Sequence, residues 1–262
     1  MVSLSLGIRA DEMPSVPARR RPPPAFADRA EAGVLLGAAL RETVEEFKFD
    51  HFERPVVFAI PRGGVAVAAC VARCLAAPLD VLVVRKIGHP EAPEFGLGAI
   101  AEGGEPVFDD EVLAEAGLSV SDLAEVVQRE RAELARRVAA YGGARRGTPG
   151  APGAGGPDGP YPPGGLAIVV DDGLATGVTA RAALRAVTSR FGGGPVTTVL
   201  AVPVAAEGSL AGINAEADEV VTVVTARRLH SVGEWYVDFG QLTDADVLTL
   251  LADGRPRTEG EP

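Results

Sequence analysis

Residues 166–170, Leu-Ala-Ile-Val-Val, form an uninterrupted apolar run that delivers two adjacent carboxylates, Asp171 and Asp172, into a turn of small and hydroxyl-bearing residues. So short and apolar a run reads as a strand covered on both faces, the kind found where helices flank a parallel sheet. The pattern repeats along the chain. Val56–Ile60 closes on Pro61-Arg62-Gly63-Gly64 and leads into an Ala-rich helical stretch, Val65–Ala77. Leu79–Val84 is a second such strand, and Val196–Val202 and Glu219–Val224 are two more, with a short helix around 205–213 between them. Helices are expected over 121–140 and 180–190, and Leu97–Ala101 with Pro106–Phe108 reads as a further strand or a ribbon. In the first of these helices Leu123, Val127, Leu134 and Val138 share one face, and Glu125/Arg129 and Glu133/Arg137 are i,i+4 pairs on the other. Strands separated by helices predict an α/β fold, doubly wound about a mostly parallel five-stranded sheet with flanking helices. Ligands of such sheets bind outside the carboxyl ends of the strands. The turns after 56–60, 79–84 and 166–170 are therefore expected to form one site.

Composition narrows what that site meets. Hydrophobic residues make up 47% of the 262, enough for a real core, and the formal net charge is −11. That charge opposes a DNA or anionic-membrane partner, whose binding rests on clustered positive charge. No apolar run approaches the roughly 18–20 residues that span a bilayer, and Val2–Ile8 is too short for a secretory signal, so the expected compartment is the cytoplasm. Cys70 and Cys74 sit one helical turn apart in an apolar stretch and read as small buried residues, and the three histidines show no ligand spacing. Residues 142–165 hold ten glycines and six prolines, which predicts a disordered insertion. Residues 1–24, ending in Arg-Arg-Arg-Pro-Pro-Pro, and 253–262 read as tails around a domain at 25–252.

The acidic turn carries the chemistry. After Asp171 and Asp172, the segment Gly173-Leu174-Ala175-Thr176-Gly177-Val178-Thr179 lets the backbone approach a bound group, and its amides point along the start of a helix, where the dipole favours an anion. Thr176 and Thr179 add hydroxyl donors. Carboxylates accept hydrogen bonds only, so a bare anion is repelled while a polyol phosphate satisfies both halves of the turn. The alternative, a pair of helix-capping aspartates, explains one acid and not two. Neither GxxxxGK[ST] nor GxGxxG occurs at a strand-to-helix turn here, and the only lysines are Lys48 and Lys86.

IVVDDGLATGVTA resembles the phosphoribosyl pyrophosphate (PRPP) binding motif of type I phosphoribosyltransferases. The order of segments over roughly 26–250 resembles the same family, particularly a bacterial subgroup with a PRGG turn, an RK-G-P-E loop and a W-Y-x-D-F segment near the C-terminus. The resemblance implies that fold, with a small hood built from the chain ends. It implies that Asp171 and Asp172 bind the ribose hydroxyls and that Gly173 and Ala175–Thr179 wrap the 5′-phosphate. Arg62, Gly63 and Gly64 would meet pyrophosphate, joined by Arg85 and Lys86, which end the second strand and lead into a segment, 87–95, that resembles the family's mobile catalytic loop. Asp171, Asp172, Arg85 and Lys86 become the implied catalytic set. Magnesium rides mainly on the PRPP diphosphate, with no direct protein ligand.

Family members acting in purine salvage usually carry an acid where this chain has Ala175, which argues against hypoxanthine or guanine as acceptor. Val204, Trp235 and Tyr236 are the candidate acceptor contacts, with the competing reading that the aromatics fill a core edge. The family often forms dimers, so a homodimer is compatible with the resemblance. Two functions are carried forward: transfer of a phosphoribosyl group from PRPP to a small acceptor, and a PRPP- or nucleotide-sensing regulator without catalysis. An RNA-binding regulator stays open, since a basic patch can coexist with net negative charge. The DxD-type spacing of an aspartyl-phosphate receiver is not met.

Overall fold

A computed structural model of the chain describes residues 24–46, 55–145, 161, 165–191 and 195–253. The expected tails, apart from Pro24 and Asp253, and most of the 142–165 segment lie outside the described residues.

Helix α1 (Arg29–Glu46) precedes strand β1 (Val56–Ala59), α2 (Gly63–Leu75) and β2 (Leu79–Val81). Strands β3 (Val84–Gly88), β4 (Gly96–Ala101) and β5 (Val107–Phe108) follow, then α3 (Asp110–Ala116) and α4 (Ala124–Arg145). The second half runs β6 (Gly165–Val170), α5 (Val178–Ser189), β7 (Val196–Ala206), α6 (Glu207–Ile213), β8 (Glu219–Ala226) and α7 (Asp244–Asp253). Five strands pair in parallel in the order β2-β1-β6-β7-β8, as the alternating pattern predicts. Their side chains divide between two cores. Val57, Ala59, Leu166, Ile168 and Val170 face α1, α2 and α4, while Val56, Phe58, Ala167 and Val169 face α5. Burial on both faces is why these strands read as unbroken apolar runs.

The order contains a reversal. From β1 the chain moves outward to β2, and β6 then starts the other half of the sheet on the opposite side of β1. Loops leaving β1 and β6 therefore diverge to opposite faces and leave a crevice between their carboxyl ends.

Several expectations change. The run Leu79–Val84 is not one strand: Leu82 and Val83 are buried connectors, and Val84 opens the antiparallel sheet β3-β4-β5. Arg85 and Lys86 thus sit within β3, paired with Ile100 and Ala99, instead of ending the second strand. Strand β7 continues past Val202 through Pro203 to Ala206. Helix α4 runs on through Arg145 because Tyr141 anchors its last turns, fully buried with its hydroxyl donating to Asp244 at 2.7 Å. Lastly, Tyr161 is not part of a loose insertion. Its buried ring lies 5.3 Å from both Phe58 and Phe191, and its hydroxyl donates to Asp80 at 2.8 Å. On α4 the Glu133/Arg137 pair forms at 2.9 Å, whereas Arg129 turns to Glu130.

Cys70 and Cys74 are free thiols whose helix face meets Gly33 and Gly37 of α1. Close helix packing accounts for them. Two segments far apart in sequence meet: Phe26 accepts from Val237 N–H at 2.9 Å, Ala27 accepts from Asp238 N–H at 2.8 Å, and the Phe26 ring lies 5.3 Å from that of Tyr236. Among the described residues no helix is long and apolar enough to cross a membrane.

Candidate active site

The crevice between β1 and β6 is a cavity of about 630 Å³. Its floor is the acidic turn. Asp171 and Asp172 leave the end of β6, and Gly63 and Gly64 open α2 directly against them. A β-carbon on Gly63 would fall 1.8 Å from Asp172 Oδ2, and one on Gly64 would fall 2.8 Å from the Val170 carbonyl oxygen. The two glycines are thus needed for the β1 and β6 turns to touch at all. The Pro61–Arg62 peptide is cis, within the same turn.

The rest of the acidic turn is pinned from β7. Leu174 N–H donates to Val204 O at 2.8 Å, Ala206 N–H donates to Leu174 O at 2.9 Å, and Ser209 Oγ donates to Ala175 O. The two backbone bonds occupy the part of β7 that extends beyond the end of β6. Gly177 caps α5 with φ +82°, a left-handed conformation that glycine adopts without steric cost. Gly173, Ala175, Thr176, Gly177 and Thr179 all line the cavity at the start of this helix. Val178 is buried just behind them.

Charge is distributed unevenly. Burial pushes the Asp171 carboxyl well above the usual carboxylate range, and the neighbouring Asp172 adds to the effect. Burial raises Asp172 too, opposed first by Arg29 and then by Lys86. Arg29 Nε donates to Asp172 Oδ2 at 2.9 Å, and Tyr236 donates its hydroxyl to the Asp172 carbonyl at 2.6 Å. Arg62, Arg85, Lys86, Arg129 and Arg137 line the same cavity. Arg85 reaches Glu130 of α4 at 2.7 and 3.0 Å, and Glu130 also accepts from Arg129 at 3.3 Å. Arg137 is held by Glu133. Lys86 is exposed at the cavity. Among the described residues, no group of three or more His, Cys, Asp or Glu side chains is placed to hold a metal ion.

Asp171, Asp172, Arg62, Gly63, Arg85, Lys86 and the turn through Thr179 come together around this one cavity. The expected acceptor contacts do not. Val204 is fully buried and Tyr236 is 4% exposed; neither lines the cavity, nor does Trp235, whereas Val232 does. Sequence reasoning misses Arg29, Arg129, Glu130 and Arg137 as site residues. The α4 trio carries no mark beyond ordinary helix-surface charge, and Arg29 lies 143 residues from its partner.

Fold and crevice define the class: a doubly wound α/β protein with its site at the carboxyl edge of a parallel sheet. The sequence matches the phosphoribosyl transferase domain over residues 31–241, and the chain belongs to that family. Over 226 residues it is 38% identical to a Mycobacterium tuberculosis protein, found in strains H37Rv and CDC 1551, that bears the name "Putative phosphoribosyl transferase". The match covers 86% of this chain and 46% of the relative, so the chain spans about half the length of the curated relatives it matches. The crystal structure of TT1426 from Thermus thermophilus is 38% identical, with a TM-score of 0.63, covering 88% of this chain and 99% of that one.

Proposed function

We propose that the chain transfers a 5-phosphoribosyl group from PRPP to a small nucleophilic acceptor and releases pyrophosphate. The observation that carries this reading is the shared cavity. Two carboxylates and a small-residue turn opening a helix line the same cavity as the cationic side chains Arg62, Arg85, Lys86, Arg129 and Arg137. Ribose hydroxyls donate to Asp171 and Asp172, and the 5′-phosphate takes the amides and hydroxyls of 175–179. The diphosphate lies toward Arg62 and Lys86. Magnesium would be held by the substrate diphosphate, without a direct protein ligand, and would neutralise charge there, since a hard cation of this kind takes phosphate oxygens and water.

In the reaction the bond from the anomeric carbon to the diphosphate oxygen breaks, and a bond to the acceptor nucleophile forms. Negative charge grows on the leaving group, where Arg62 and Lys86 are most useful, and positive charge grows on the ring beside the two carboxylates. Arg85, bonded to Glu130, lines the same cavity. Loss of ~3 kcal/mol of such stabilisation corresponds to roughly a hundredfold in turnover.

Incubation with PRPP, Mg²⁺ and fractionated metabolite pools tests the reading. Acceptor-dependent pyrophosphate release is expected. Saturable PRPP binding without release from any pool would favour the sensing regulator, and absence of both would defeat the assignment.

A further inference from the structure

We propose that Arg29, in the first turn of α1, is a positioning residue that keeps the Asp172 carboxylate ionised and aimed for ribose, and that the Trp235–Phe239 segment serves as its clasp. The inference rests on the phosphoribosyl-transfer reading for its ligand, and on geometry for everything else. The Arg29 guanidinium is fixed on three sides. Nε donates to Asp172 Oδ2 at 2.9 Å, Nη1 donates to the Gly240 carbonyl at 2.8 Å, and the group lies 3.8 Å over the Phe239 ring. Its side chain is 11% exposed and that of Asp172 16%, so little water screens the pair. From the other direction Tyr236 holds the Asp172 backbone, and Gly63 leaves the carboxylate no room to withdraw.

Two adjacent buried acids resist being charged together, because desolvation and mutual repulsion both favour the proton. The groups facing Asp172 are Arg29 from α1, Lys86 from β3, Asp171 from its own turn and Tyr236 from the C-terminal segment. Of these two cations, Arg29 is the one that touches the carboxylate, and it keeps clear of the cavity lining. The aromatic segment thereby gains a role other than stacking an acceptor. It ties the N-terminal part of the hood to the site and gives Arg29 a face to rest on.

The test is PRPP affinity as a function of pH, measured calorimetrically with Mg²⁺, for the wild type, R29Q, R29K and F239L. R29Q is expected to bind at least tenfold more weakly at pH 7, with its binding midpoint moved upward by about one pH unit as the Asp172 proton is held more tightly. R29K should keep the wild-type midpoint and recover most of the affinity. F239L, which preserves the charge, should lose about threefold, and it carries the test should R29Q not fold. A carbon-13 NMR titration of Asp172 in wild type and in the R29Q and F239L variants reads the same coupling without ligand. An upward shift of its midpoint upholds the inference even if the wild type ignores PRPP, in which case the functional reading alone fails. Unchanged affinity and unchanged midpoints in folded R29Q and F239L overturn it.

Discussion

Gly63 and Asp172 are in van der Waals contact across the switch point of the sheet, so closely that an alanine methyl would overlap the carboxylate at 1.8 Å from Oδ2. The turn after β1 and the turn after β6 are thus packed as one unit, with the start of α2 against the acid.

The G63A variant should therefore injure both stability and binding. Displacing a packed carboxylate and its arginine costs about 1–3 kcal/mol in the manner of an overpacked site, and PRPP affinity should fall at least tenfold. Thermal unfolding and a binding isotherm read the two effects. Gly212 of α6 supplies the control, since nothing lies within 4 Å of an added β-carbon there. G212A should leave binding alone and raise stability by up to about 1 kcal/mol.

Replacing Asp171 should separate stability from function. Its folded pKa is raised by burial and by Asp172, so between the unfolded value of about 3.9 and the higher folded value the native state binds more protons than the unfolded one. Stability contributed by this group is then lost as pH rises through that window. The D171N variant escapes the loss. At pH 7 it should melt at a higher temperature than the wild type, the difference vanishing toward pH 3, while PRPP binding weakens. Melting curves from pH 3 to 8 check the sign.

Tyr161 should behave as core despite its neighbours in sequence. Y161A is expected to cost about 3–5 kcal/mol, as for other buried aromatics, and Y161F about 1 kcal/mol for the hydrogen bond to Asp80. Urea denaturation of both variants gives the comparison.

Glu130 and Arg85 should be coupled. Removing one partner leaves the other charge part-buried, so E130A and R85A should each destabilise more than half as much as the double variant. The coupling energy expected from the cycle is about 1–3 kcal/mol.

Legibility in the sequence follows what each signal reports. Strands β1, β6 and most of β7 are readable because double-sided burial leaves apolar runs, and the acid pair because it stands at a strand end ahead of a small, hydroxyl-bearing turn. The split at Leu82-Val83 is hidden: both residues are buried, so a chain passing between two sheets looks as apolar as one staying in the first. Pro203 makes β7 look finished at Val202. A proline lacks the amide for a central ladder, yet β6 has already ended at that level, and on that side Leu174 bridges β7 in its place. Tyr161 is masked by the glycines and prolines around it, although one aromatic in such company is a signal of anchoring. Arg29 has no local signal whatever, since its role depends on a tertiary contact with residues at the far end of the chain.

Calorimetric titration of Mg²⁺ and PRPP into the wild type and the D171N/D172N variant addresses the acidic floor of the cavity most directly. Saturable one-to-one binding is expected for the wild type, weakened at least a hundredfold in a variant that stays folded. Equal affinity in both proteins, or no heat of binding to the wild type, would contradict the assignment of the β6 acids to a ribose ring.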